Sequence, residues 1–151
     1  MKLSTKAQYG LKACFYLAEA YGRGPLSIAR LSELTSVSVA YLEQLVMPLK
    51  RTGLLRAERG KDGGYALSRP PAEVTAGEIV RALEDNLTII DCLVTPCSAE
   101  EKCPTCAIWN RLYQGINKIL DEVSLQDMLD DYRRAGKGEL SGPDQGPKEA
   151  S

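Results

Sequence analysis

Four of the five cysteines, Cys92, Cys97, Cys103 and Cys106, fall in one short stretch, CLVTPCSAEEKCPTC, at spacing C-x4-C-x5-C-x2-C. Its prolines, charges and small residues break both the helical and the two-residue apolar period, so the segment reads as a loop. Four thiols this close in sequence can converge on a metal at little chain-closure cost, and each deprotonates when it binds. The chain contains no histidine. Histidine metal ligands, Ser-His-Asp triads and Cys-His pairs are therefore excluded, and the loop must work with sulfur alone.

No apolar run approaches the ~20 residues that a membrane helix needs. The start, MKLSTKAQYGLKA, lacks the continuous apolar core and cleavage site of a signal peptide. A cytoplasmic protein without a membrane partner is expected, and there clustered cysteines mean metal or redox chemistry more often than structural disulfides. Charge is unevenly divided. Residues 1–71 hold 11 Lys and Arg against 5 Asp and Glu, net +6, whereas residues 72–151 hold 8 against 15, net −7. The front half is the candidate for an anionic partner.

Thr5 and Gln8 have the form of a capping box, and Ala7, Leu11, Cys14, Phe15 and Ala18 recur at helical spacing behind them. The pattern predicts a first helix over residues 5–21, ended by Gly22 and Gly24, with Cys14 as a plain core residue. PLSIARLSELTSVSVAYLEQLVMPLKRTGLL then reads as two short helices. Ile28, Leu31 and Leu34 form the buried edge of one and Leu42, Leu45 and Leu49 that of the other. The turn at residues 35–37 and an N-cap at Ser38 separate them. The second helix presents Ala40, Glu43, Gln44, Met47, Lys50 and Arg51 away from the core. Gln pairs with adenine, Glu accepts from the cytosine amino group, and Lys or Arg neutralises phosphate, as a helix in the major groove requires. A solvated face of an ordinary helical hairpin would show the same periodicity.

LLRAERGKDGGYALS alternates on both sides of a glycine-rich tip, which predicts a β-hairpin. A hairpin directly after two such helices is a wing, and it raises the DNA-binding reading. Arg59 and Lys61 at its tip could reach a narrow minor groove. Thr75 and Glu78 form a second capping-box pattern ahead of Ile79, Val80 and Leu83, and residues 87–91 form a short apolar run into the cysteine loop. Beyond the loop, Ile108, Leu112, Ile116, Ile119, Leu120 and Val123 make a sustained helical stripe. One winged domain offers too little surface to cover it, so the same helix of a second copy is the economical partner. Ser124 and Asp127 start a last helix with Leu125, Met128, Leu129 and Tyr132 inward, and residues 136–151 read as a disordered tail.

On spacing alone, tetrahedral zinc and an iron-sulfur cluster both accept four thiolates, with zinc slightly ahead. Cys103-Pro-Thr-Cys106 also has the C-x-x-C form of a disulfide oxidoreductase, but the βαβ setting of those enzymes is missing. A thiol/disulfide switch is the remaining alternative.

The start MKLSTKAQYGLKA, the segment SVSVAYLEQLVMPLKRTGLL, the wing RGKDGGYALS and the cysteine loop followed by AIW resemble the IscR-type regulators of the Rrf-two superfamily. The resemblance runs from Met1 to about Tyr132. It implies a homodimeric winged-helix transcription factor, not an enzyme. It also implies an iron-sulfur cluster, with the two-iron two-sulfur form favoured, the four-iron four-sulfur form the other type, and zinc the alternative metal. Cys92, Cys97 and Cys103 match the three ligand cysteines of the family, although the first gap is one residue shorter than usual. Cys106 falls where the IscR type has histidine, and a fourth thiolate there should lower the cluster potential. In nitric-oxide-sensing relatives the fourth ligand is an aspartate at the position of Gln8, a poor ligand. The resemblance further implies that Glu43 influences promoter choice, that Tyr41 and Gln44 belong to the recognition helix, and that Arg59 enters the minor groove.

The fold expected is mainly α with a small β-hairpin wing, a winged helix-turn-helix plus a long dimerisation helix. Residues 1–71 form the DNA-binding region, 72–91 a linking helix and short extended segment, and 92–106 the cluster-binding loop. Residues 107–135 supply the dimerisation and C-terminal helices. The DNA contacts expected are Lys2, Lys6, Ser38, Ala40, Tyr41, Glu43, Gln44, Lys50, Arg51, Arg59 and Lys61. The expected target is a pseudo-palindromic double-stranded operator, and the expected effect of binding is repression.

Overall fold

The computed structural model describes residues 3–84 and 103–136. Lys2, Cys92, Cys97, the apolar run at 87–91 and the expected tail beyond Gly136 lie outside the described residues. Six α-helices and one antiparallel hairpin follow in order: α1 Thr5–Glu19, α2 Ile28–Thr35, α3 Val39–Arg51, β1 Leu55–Glu58, β2 Gly64–Leu67, α4 Ala76–Leu83, α5 Cys106–Glu122 and α6 Leu125–Arg134. This is the mainly α, winged architecture expected. Among the described residues no helix is long and apolar enough to cross a membrane.

The start of α1 differs from the sequence expectation by one residue. Ser4, not Thr5, is the N-cap, and its Oγ accepts from Ala7 N at 3.2 Å. Gln8 is then too far along to close a capping box, and its side chain donates instead to the Leu3 carbonyl at 3.0 Å. The buried face is also rotated. Ala7, Gly10, Ala13, Cys14, Leu17 and Ala18 are buried, whereas Leu11 and Phe15 pack only partly. Small residues decide this, because Gly10 lets α4 approach so closely that a Cβ there would overlap the Leu83 methyl.

The α2–α3 pair follows its pattern closely. Leu31, Leu42, Leu45 and Leu49 are fully buried, Ile28 and Leu34 pack at the edge of the same core, and Ser38 caps α3 through Tyr41 N at 3.2 Å. Ser36 takes the left-handed conformation, φ 58°, the only non-glycine residue with positive φ among those described. The Ser32 hydroxyl braces that turn by donating to the Val37 carbonyl at 2.5 Å. α3 runs through Pro48 to Arg51.

In the wing, Leu55 pairs with Leu67 and Glu58 with Gly64. Tyr65 exchanges both backbone hydrogen bonds with Leu26, at 2.9 and 2.8 Å, which ties the wing to the chain entering α2. Gly64 is required there, since a Cβ would run into the Leu26 backbone.

The Thr75–Glu78 capping box forms as expected, and so does the one at Ser124 and Asp127. Ala76 N bonds to Val123 O and Leu125 N to Val74 O, each at 2.8 Å, clipping the α5–α6 junction onto the start of α4. Leu125 and Leu129 are buried, with Met128 packed against them.

Candidate nucleic-acid interface and cysteine site

Ser38 sets the N-terminus of α3, and the Leu42–Leu45–Leu49 edge fixes which way the helix faces. Turning that edge inward leaves Ala40, Glu43, Gln44, Met47, Lys50 and Arg51 exposed as one polar, cation-ended face. Met47 is the apolar exception at 62% exposure. Tyr41 is half-buried, and its ring meets the edge of Tyr9 from α1, with centroids 6.1 Å apart and planes at 90°. Lys6 is exposed on α1 one turn before Tyr9. Arg59 and Lys61 are exposed at the wing tip, while Arg56 and Glu58 pair with each other at 3.2 Å. The chain carries these groups on three separate elements, α1, α3 and the wing tip. Sequence reasoning missed Tyr9. Its signal was available, as an aromatic residue three positions after Lys6 and off the apolar stripe.

Of the four loop cysteines, Cys103 and Cys106 are described. Both are partly exposed. Cys106 is the first residue of α5, so the expected loop ends one residue earlier than predicted. Cys103 Sγ lies 3.4 Å from Thr105 Oγ1, and Asn110 Nδ2 donates to Cys106 Sγ at 3.4 Å. Hydrogen bonds from the Thr105 side chain and backbone, joined by the Cys106 backbone and opposed by slight desolvation, hold the Cys103 thiol below its ordinary range. Thiolate is the form that binds metals and attacks disulfides. The two described donors thus suit a thiophilic metal, with polar neighbours able to donate to bound sulfur as outer-shell groups do. Thr105 and Asn110 were not anticipated, because nothing in their type marks them apart from position. Among the described residues no three Cys, Asp or Glu side chains gather as a metal site. Cys14 is a different thiol, fully buried in α1 and pushed up to about 12 by desolvation.

α5 contributes no fully buried residue. Ile108, Leu112 and Ile119 are exposed, Ile119 at 62%, while Ile116, Leu120 and Val123 are half-buried. The helix rests on α4 by its other side, where Arg81 forks to Asn117 at 2.8 Å and Asp121 at 2.5 Å. Gly77 permits the close approach, since a Cβ would crowd Arg81 and Asp121.

Comparison with known proteins gives a consistent family signal. The model of the Rrf2 family, described as iron-dependent transcriptional regulators, matches residues 3–131. The transcriptional regulator CymR of Bacillus subtilis is 37% identical over 128 residues, 85% of this chain and 89% of that protein. The solved structure of B. subtilis CymR, described as the global cysteine regulator, superposes with a TM-score of 0.72 at 36% identity, covering 85% of this chain and 95% of that one. That of IscR from T. potens superposes with a TM-score of 0.74 at 35% identity, covering 92% and 93%.

Proposed function

The chain belongs to the Rrf2 family of transcriptional regulators, a family of regulators and not of enzymes, and from that premise we propose a homodimeric repressor whose operator binding is set by an iron-sulfur cluster on Cys92, Cys97, Cys103 and Cys106. One observation carries the reading. The thiol segment ends on the first residue of α5, the helix whose apolar face is left uncovered. A change at the sulfurs is therefore passed by covalent continuity to the helix that sets how two copies sit, and hence how two α3 helices are spaced on a duplex.

Each subunit reads one half-site, through Ser38, Ala40, Tyr41, Glu43 and Gln44 at the front of α3. Lys2, Lys6, Lys50 and Arg51 neutralise phosphate, and Arg59 and Lys61 reach the minor groove. Half-sites then lie about one helical turn, or a multiple, apart. Glu43→Ala should alter sequence preference more than overall affinity, since it removes a base-reading carboxylate; a uniform loss over all sequences would count against that role. The cluster would supply a charged, oxidisable group, favoured as the two-iron two-sulfur form, and it acts only by binding the two dimer arrangements unequally.

A second reading draws on the depressed Cys103 thiol and on the likeness to CymR: the same cysteines act as a thiol/disulfide switch. Protein purified without oxygen separates these readings. Iron and sulfide in comparable amounts, with visible absorption and DNA affinity that changes on cluster removal, support the cluster sensor. Metal-free protein whose DNA affinity follows oxidation and reduction supports the switch. Zinc at about one per chain, with DNA affinity indifferent to its state, points to a structural site and overturns both.

A further inference from the structure

We propose that Tyr9 is a DNA-backbone contact, its phenolic hydroxyl donating to a phosphate beside the groove that α3 enters. The inference rests on the DNA-binding reading and adds a residue, and a kind of contact, to it.

Four observations converge on Tyr9. Its ring is 37% exposed on α1, on the side away from the core stripe. Its hydroxyl has no hydrogen-bond partner among the described residues, so a polar tip is presented outward on an apolar body. The ring is held edge-on against Tyr41, the third residue of α3. The first turns of a recognition helix are the part that meets base edges, so a ring in contact with Tyr41 stands within one side chain of the duplex. Finally, Lys6 is exposed on the same side of α1, three residues earlier, and α1 carries no acidic residue before Glu19.

A rigid aromatic with a neutral donor at its tip suits such a contact. Only two side-chain torsions need fixing, and the edge contact with Tyr41 already restrains them. Tyrosine hydroxyls are among the groups that position a protein on phosphate without reading sequence. The alternative occupant is the second subunit, which would need Tyr9 covered in the free dimer.

The test uses the full-length protein, a duplex that the wild type selects from a random library, and an unrelated duplex. Tyr9→Phe keeps the ring and its contact with Tyr41 but removes the donor. It should weaken binding to both duplexes by about three- to tenfold, with melting temperature and dimer mass unchanged. Because the contact is neutral, the dependence of log affinity on log salt should keep its wild-type slope, whereas Lys6→Ala should reduce that slope by about 0.9. Tyr9→Phe binding within about twofold of wild type, a loss confined to particular base positions, or a fall in dimer mass overturns the inference while DNA binding stands. Failure of the wild type to bind any duplex overturns the DNA-binding reading itself.

Discussion

The Ser4 backbone N–H donates to Glu84 Oε1 at 2.7 Å across 80 residues of sequence. In a capping box that bond comes from an acidic or amide side chain at the third helical position. Here that position is Ala7, and a residue at the end of α4 supplies the missing carboxylate. The start of α1, near Lys6 and Tyr9, is therefore fastened to the last described residue before the cysteine segment. The Gly10–Leu83 approach makes a second fastening one turn on.

Removing that carboxylate should loosen α1 at its N-terminus. Glu84→Ala should cost about 1–2 kcal/mol of stability, and Glu84→Gln, which keeps an acceptor oxygen, should recover most of it. Chemical denaturation of the three proteins checks this. Equal losses for Ala and Gln would show that charge, and not the hydrogen bond to Ser4, is what matters.

Stability should fall on acidification partly through Glu78. Burial pushes its carboxyl up, but the Thr75 N–H at 3.0 Å, the Arg69 guanidinium at 2.8 Å and the Thr75 side chain together hold it below the usual range. A lowered folded value means the stabilisation is fully present above the unfolded pKa of about 4.3 and disappears as pH drops through the folded one. Glu78→Gln should flatten the urea midpoint between about pH 5 and about pH 3. Asp127, likewise lowered by its bonds to the Ser124 backbone and side chain, leaves a residual slope. An unchanged midpoint profile would remove Glu78 from the account.

In reduced, metal-free protein, alkylation should separate the two described kinds of thiol. Cys103, exposed and favoured as thiolate, should be modified under native conditions, and Cys14, buried with a raised pKa, only after unfolding. Peptide mass mapping reads the sites directly. Labelling of Cys14 at the rate of Cys103 would mean that α1 is not packed as described.

Placing a carboxylate on the uncovered face of α5 should break the dimer without unfolding the subunit. Leu112→Glu and Ile119→Glu change side chains exposed in the single chain, so melting of the monomer should move little while light scattering reports half the wild-type mass. DNA affinity should fall with it, because two linked half-site contacts become one. Dimers that persist in both variants would place the subunit interface elsewhere.

Much of the molecule was legible in sequence because its signals are local. Leu42, Leu45 and Leu49 repeat at the period of the helix they stabilise, Ser38 sits where its hydroxyl can cap Tyr41, and the glycines between Glu58 and Tyr65 suit a hairpin tip. The α1 face was misread where the signal was weakest. Gly10 and Ala13 carry little hydrophobicity, yet their smallness is what admits α4, so Leu11 and Phe15 looked more central than they are.

Sequence by itself determined the helix–helix–wing order, the capping boxes at Thr75 and Ser124, and the all-thiol character of the loop. Each follows from bonds or periods spanning a few residues. Only the tertiary structure decided that Glu84 completes the cap of α1, that Leu26 anchors the wing at Tyr65, that Tyr9 meets Tyr41, and that packing on α4 leaves one apolar face of α5 uncovered. Those pairings join residues whose individual patterns carry no mark of each other, so they exist only once the core has fixed where each element lies.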